Sequence, residues 1–188
     1  MTLLSLQRLA LFLNEFKPKG RVADFGGTDV IGAEIVKKML TLDHVTARKT
    51  DSAKDLQIIL NGVQMVGKTP EYIVLDYDNG VDLMKPIKGE KFDAGICMDL
   101  LEHTSNPFIV AKNISDSLKP GAFLFVTVPF VWELHYHPKD YFRFCPQGLE
   151  ALLPDMKTKT IDIIRDQVPD EDLPRQRIVA IFQKKRGA

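Results

Sequence analysis

Phe92-Asp93-Ala94-Gly95-Ile96-Cys97-Met98-Asp99-Leu100-Leu101-Glu102-His103 is an apolar run that breaks into an acidic turn ending in histidine. Its first part, Phe92 to Met98, reads as a buried strand. Downstream, Pro107 to Leu118 has helical periodicity and stops at Lys119-Pro120-Gly121, a strong terminator. Ala122 to Val128 follows as the most strand-like run in the chain. Upstream, Tyr72-Ile73-Val74-Leu75 is a strand ending in Asp76, with a turn at Asp78-Asn79-Gly80.

Further out, Arg21 to Phe25 is a short strand running into Gly26-Gly27, and a helix follows with Ile31, Ile35, Val36 and Leu40 on one face. Leu3 to Phe16 is an amphipathic helix closed by the turn Lys17-Pro18-Lys19-Gly20. Residues 41 to 70 are polar and ambiguous, with a helix expected from Ser52 to about Met65. Thr158 to Ile164 and Arg177 to Phe182 read as two closing strands. Strands alternating with helices predict an α/β fold whose parallel sheet is covered on both faces, and the closing pair suits an antiparallel hairpin at its edge. With no repeat or Ser/Gly linker, residues 1–188 read as a single domain.

The bulk numbers narrow the classes. Hydrophobic residues make up 45% and charged residues 27%, ordinary for a folded soluble domain. Lys plus Arg equals Asp plus Glu at 25 each, so no global charge draws the chain to nucleic acid or an anionic membrane. The basic end Lys184-Lys185-Arg186 reads as a solvated tail. Two isolated cysteines, Cys97 and Cys145, make neither a disulfide framework nor a metal spacing, which fits a reducing compartment. Arg8, Asn14 and Glu15 interrupt the first apolar segment, unlike a signal peptide, and no apolar run approaches membrane-spanning length. The expectation is a cytoplasmic protein.

The turn from Asp24 to Gly32 sits where a first strand meets a first helix. Glycines there let backbone N–H groups approach a ligand, and the helix N-terminus favours negative charge. Ligands of open parallel sheets bind beyond the carboxyl ends of the strands, where this turn would lie. Asp76, at another strand end, is placed to accept from both hydroxyls of a ribose. The glycine spacing fails the G-x-G-x-x-G dinucleotide pattern.

Arg21 to Gly32, Tyr72 to Leu83, Phe92 to His103, Leu118 to Leu124 and Val128-Pro129-Phe130 together resemble class I S-adenosylmethionine-dependent methyltransferases of the small, single-domain, type 11-like kind. The resemblance implies a Rossmann-like, mostly parallel seven-stranded sheet with an antiparallel C-terminal edge hairpin and helices on both faces. It implies S-adenosylmethionine as cofactor, with Asp24, Gly26 and Gly27 at its methionine end and Asp76 at its ribose. Leu83 or Met84 would flank the adenine. Met98, Asp99 and Leu100 would wall the methionine and sulfonium side, while Glu102 and His103 would hold the following turn. Thr28 and Val30 stand where the family usually has glycines, and the stretch before Asp76 is long. Asp43 or Asp51 is therefore the alternative ribose acid, if a strand lies near Val45.

Methyl transfer from a sulfonium needs a nucleophile held close and in line, with water excluded. A hydroxyl also needs a base, whereas an amine or thiolate needs little help. The segment Phe130 to Phe144 holds two of the four histidines, the only tryptophan, acids, an arginine and two tyrosines. Family members acting on glycans and small metabolites have a similar His-x-x-Pro-x-Asp-Tyr-x-Arg-Phe run. This makes His135 or His137 the base, oriented by Asp140, with Tyr141 and Arg143 closing the site. The competing reading is an Asp140–Arg143 structural ion pair under an aromatic lid. No metal is expected at His135-x-His137, for want of a third ligand at a recognisable spacing, and nothing marks Cys145 as an activated thiolate.

The leading expectation is an O-methyltransferase acting on a small molecule or glycan. Its rivals are a non-catalytic S-adenosylmethionine-binding or regulatory subunit and a nicotinamide-dependent oxidoreductase. Glycine spacing and the Asp-Leu-Leu-Glu-His turn disfavour the oxidoreductase. A nucleic-acid acceptor is disfavoured by neutral charge and by the absence of an Asn/Asp-Pro-Pro-Tyr motif.

Overall fold

The computed structural model describes residues 3–27, 71–136, 139–165 and 175–187. Helix α1 (Leu3–Phe16) leads into strand β1 (Arg21–Phe25). Then come β2 (Glu71–Leu75), β3 (Phe92–Met98), α2 (Pro107–Ser117) and β4 (Leu118–Val131). Helix α3 (Pro146–Leu152), β5 (Met156–Arg165) and β6 (Gln176–Lys184) complete the order. The strands form one sheet in the order β2-β1-β3-β4-β6-β5. β1 to β4 run parallel, and β6 lies antiparallel to both β4 and β5. The α/β class and the antiparallel edge hairpin are as the sequence leads one to expect. Six strands are present among the described residues where seven were expected. The possible strand near Val45 lies outside those residues, as do the helices after Gly27 and over 52–65.

Side chains alternate across the sheet with the period of two that strands impose. Leu124, Val126 and Val128 of β4 join Phe25, Cys97 and residues of α2 and α3 in one core. Phe123 and Phe125 point the other way, among Leu9, Phe12, Val22 and Ile96. The apolar stripe of α1 covers this second face, with the Phe12 and Phe125 ring centroids 5.5 Å apart.

The terminator Lys119-Pro120-Gly121 does its work in an unexpected form. α2 stops at Ser117, yet strand geometry begins at once with Leu118. Phe92 pairs with Leu118 but Ala94 pairs with Phe123, so the intervening residues bulge out of the ladder. Lys119 Nζ thereby reaches Asp93 Oδ1 at 2.7 Å, and Asp93 Oδ2 also accepts the Arg21 N–H at 2.8 Å. Partial burial pushes the Asp93 carboxyl up, but these cationic and N–H partners outweigh it and hold the pKa below the usual carboxylate value. That knot ties β1, β3 and β4 at their starts.

Helix α3 is absent from the sequence reading. Its signals are Pro146 in the first turn and the buried Leu149 and Leu152, one turn apart. Cys145 caps it, Sγ accepting from the Gly148 N–H at 3.4 Å. Four parallel strands leave their carboxyl ends along one edge of the sheet, and the chemistry-bearing residues collect there.

Candidate active site

The first part of the site is built by the ends of β1, β2 and β3. Gly26 donates its N–H to the Leu75 carbonyl at 2.9 Å, which brings the glycine turn against Asp76. At Gly26 φ is +78°, and an added Cβ would sit 2.7 Å from Leu100 Cδ1; at Gly27 it would sit 2.8 Å from the Asp24 carboxyl. Only glycines let the backbone pass so close. Asp24 is 3% exposed and accepts a short hydrogen bond from the Tyr72 hydroxyl. Burial, only partly offset by that bond and reinforced by Asp76, raises its pKa to about 6. Asp76 is also buried, and its Oδ1 accepts the Asp78 N–H at 2.8 Å, which fixes the carboxylate.

The structure thus brings Asp24, Gly26, Gly27, Asp76 and Leu100 together. Met98 is half-buried against the α1-side core. Leu83 is buried in the other core and its carbonyl accepts from Asn113 at 2.9 Å, while Met84 is the more exposed of that pair. Asp99 sits in the left-handed region at φ +52°, which an aspartate tolerates better than most residues. Its carboxylate accepts from Thr127 Oγ1 at 2.9 Å and pairs with Arg177, so it anchors the end of β3 to β4 and β6. Asp43 and Asp51 lie outside the described residues.

The second part joins the turn after β3 to the segment after β4. A short 3-10 turn, Leu101–His103, carries Glu102 and His103. His103 and His135 meet edge to face, with their Nε2 atoms 3.2 Å apart and ring centroids 4.8 Å apart. His135 Nδ1 lies 3.1 Å from Asp140 Oδ2, and His103 Nδ1 lies 2.9 Å from the Lys139 carbonyl. Glu102 is 1% exposed. Burial first, then the Asp99 carboxylate, push its carboxyl well above the ordinary range, against its own backbone N–H and Arg177.

Asp140 forms the ion pair with Arg143 and also lies against His135. Arg143 grips its two oxygens at 2.5 and 2.6 Å, while the His135 backbone N–H and ring nitrogen share Oδ2. The guanidinium, ahead of the other contacts, lowers the Asp140 pKa to about 2, so its carboxylate is charged at neutral pH. Arg143 also donates to the carbonyls of Trp132, Glu133 and Phe142. It is the clasp of the segment rather than a free cation. On the other side, Arg175 and Arg177 lie over the Trp132 ring at 4.8 and 4.9 Å. Tyr141 is half exposed, and its backbone N–H donates to the Glu102 carbonyl at 2.7 Å. His137 lies outside the described residues. The sequence reading missed the approach of His103 and Glu102 to His135; their one signal is that an acid and a histidine end the turn of a buried strand.

The family described as a methyltransferase domain matches residues 20–126, more than half of the chain. Among solved structures, YcgJ of Bacillus subtilis is similar over 97% of this chain and 99% of its own, at 12% identity and a TM-score of 0.60. The 1,6-didemethyltoxoflavin-N1-methyltransferase of Burkholderia thailandensis, solved with that compound and S-adenosylhomocysteine, matches over 97% and 79% at 13% identity and 0.59. The N-methyltransferase NodS of Bradyrhizobium japonicum, with S-adenosylhomocysteine, matches over 95% and 85% at 12% identity and 0.57. No curated protein matches in sequence. The glycine turn, which side chains would obstruct, and the two buried carboxylates beside it fit the ammonium group and the ribose hydroxyls of S-adenosylmethionine. The chain belongs to the class I S-adenosylmethionine-dependent methyltransferases and takes S-adenosylmethionine as its cofactor.

Proposed function

We propose that the acceptor is a hydroxyl of a small molecule or saccharide, and that His135 removes its proton as the methyl group is transferred. When bound, S-adenosylmethionine supplies a sulfonium methyl group open to in-line displacement. Asp24, Gly26 and Gly27 hold its methionine end and Asp76 its ribose, which leaves the histidine side of the edge for the acceptor. The observation that carries the reading is the His135–Asp140 pair. The charged carboxylate accepts the His135 backbone N–H and lies 3.1 Å from ring Nδ1, while the Glu133 carbonyl lies 3.5 Å from the same nitrogen. Hydrogen-bond acceptors thus surround Nδ1, and Nε2 is the nitrogen turned to the acceptor side. An amine acceptor would depend on such an arrangement less than a hydroxyl does. Leu134, Tyr136, Tyr141 and Phe142 are exposed along the same segment and offer apolar faces to a sugar or small ring.

No described helix is long and apolar enough to cross a membrane, and both cysteines are free. With the neutral net charge, these support a single-domain cytoplasmic enzyme acting on diffusible acceptors rather than nucleic acid. The test is a panel of hydroxyl and amine acceptors assayed with wild type, His135→Ala and Asp140→Asn. The reading expects a hydroxyl product and a kcat loss of roughly a hundredfold or more in His135→Ala, with a smaller loss in Asp140→Asn. Amine methylation at an undiminished rate in His135→Ala would overturn it.

A further inference from the structure

The two facing histidines present a problem of hydrogen-bond accounting. Lys139 offers a carbonyl oxygen to His103 Nδ1, and Asp140 offers an ionised carboxylate to His135 Nδ1. The Glu133 carbonyl, 3.5 Å from His135 Nδ1, is a further acceptor. All three groups only accept, so each ring offers them a hydrogen on Nδ1 in either its neutral or its doubly protonated form. With both rings neutral, each Nε2 is left with a lone pair, and the two nitrogens lie 3.2 Å apart. Such a pair holds either a shared proton or a cation between them, and the third group at the site favours the cation. Glu102 adds a third donor. Its Oε1 lies 3.8 Å from His103 Nε2, and one ligand atom from each of the three residues lies within 4.8 Å of the others. Its Oε2 is buried with no hydrogen-bond partner among the described residues.

We propose that Glu102, His103 and His135 bind one divalent first-row transition cation of the zinc type. Zinc–nitrogen bonds of about 2.0–2.1 Å at a tetrahedral angle place two imidazole nitrogens roughly 3.3 Å apart, close to the separation found. Two imidazoles and one carboxylate suit zinc, cobalt or nickel better than magnesium or calcium. The outer partners also suit a metal site, the remote nitrogen of His103 facing the Lys139 carbonyl and that of His135 facing the Glu133 carbonyl with the Asp140 carboxylate beside it. Sequence spacing hides this ligand set, because His103 stands 32 residues before His135 and on a different strand end.

Three protein ligands leave a position for an acceptor oxygen. The use of the site rests on the hydroxyl reading above; the binding does not. With the cation in place, His135 Nε2 is a ligand and no longer a base, so the cation, by lowering the pKa of the acceptor hydroxyl, would replace the proton-removing role given to His135 above. Without it, the ring takes the proton.

The test is to strip the full-length chain with chelator and titrate it with Co²⁺, reading stoichiometry by calorimetry and geometry by the visible d–d band, with Zn²⁺ as competitor. The expected result is one ion per chain, a band of tetrahedral intensity displaced by zinc, and a loss of affinity of roughly tenfold or more in both His103→Gln and Glu102→Gln. Circular dichroism and S-adenosylhomocysteine binding confirm that each variant is folded. Failure of the folded wild type to bind either ion overturns the site, as does binding that both folded variants retain. A site that fails while His135-dependent hydroxyl methylation persists leaves the proposed function standing. Cobalt binding without any hydroxyl product keeps the site and removes that function.

Discussion

Asp24 has a carboxyl whose proton affinity its surroundings change. Burial and Asp76 outweigh the Tyr72 hydrogen bond and raise its pKa to about 6. An acid with a higher pKa folded than unfolded binds more protons when folded, so the free chain loses stability as pH rises from about 4 through 6. Cofactor binding carries the opposite sign. With Asp24 at the methionine end, its ionised form pairs with the ammonium group, and affinity falls as pH drops below about 6, by up to roughly tenfold per unit. Calorimetric titrations with S-adenosylhomocysteine from neutral pH to 5 should show this decline, and Asp24→Asn should bind weakly with a flat profile. A wild-type profile that is already flat would remove Asp24 from the binding set. Asp24, Asp76, His135 and Asp140 were legible in the sequence because each ends a strand or sits in a dense local motif. Glu102 and His103 were legible as residues but not as partners of His135. Their meeting depends on how far the segment after β4 folds back over the turn after β3, and Arg143 and Trp132 fix that through contacts no local pattern records.

Among the elements, the strand starts are as firmly tied as the strand ends are open. Gly20 has φ +84°, and a Cβ there would lie 2.3 Å from Asp93 Oδ2, inside the knot with Arg21 and Lys119. Gly20→Ala therefore meets backbone strain and displaces the carboxylate together. A loss of about 2 kcal/mol or more is expected, a fall in Tm of roughly 4–8 °C for a domain this size. Thermal unfolding with and without S-adenosylhomocysteine checks it: Tm drops in both, while cofactor affinity at 25 °C stays near wild type. An unchanged Tm would mean that the knot contributes little. Strands β1 to β3 and helices α1 and α2 could be read from periodicity and terminators. The start of β4 could not, because Lys119-Pro120-Gly121 stops the helix but enters the sheet as a bulge rather than as a separate turn. Helix α3 escaped because its seven residues are too few for an apolar period to stand out from the aromatic segment before it.

Across the whole molecule, the sheet divides the labour between its two edges. The strand starts carry the Asp93 knot, while the carboxyl ends of β1, β2 and β3 carry the glycine turn and its buried acids, the proposed cofactor cradle, and those of β3 and β4 the histidine cluster. The order β2-β1-β3 puts Asp76 next to the glycine turn, the neighbourhood that the proposed ribose role of Asp76 requires. Parallel order was legible from alternating strands and helices; which strand would lie beside β1 was not, since adjacency is set by crossovers rather than by local sequence. The central claim is tested most directly by calorimetric titration of the purified chain with S-adenosylmethionine and S-adenosylhomocysteine, with NADH as control, repeated on Asp76→Ala. The account predicts micromolar binding of both sulfur ligands and none of NADH. In the variant, affinity should fall roughly ten- to a hundredfold through loss of charge-assisted hydrogen bonds. Absence of binding of both sulfur ligands by the folded wild type would contradict it.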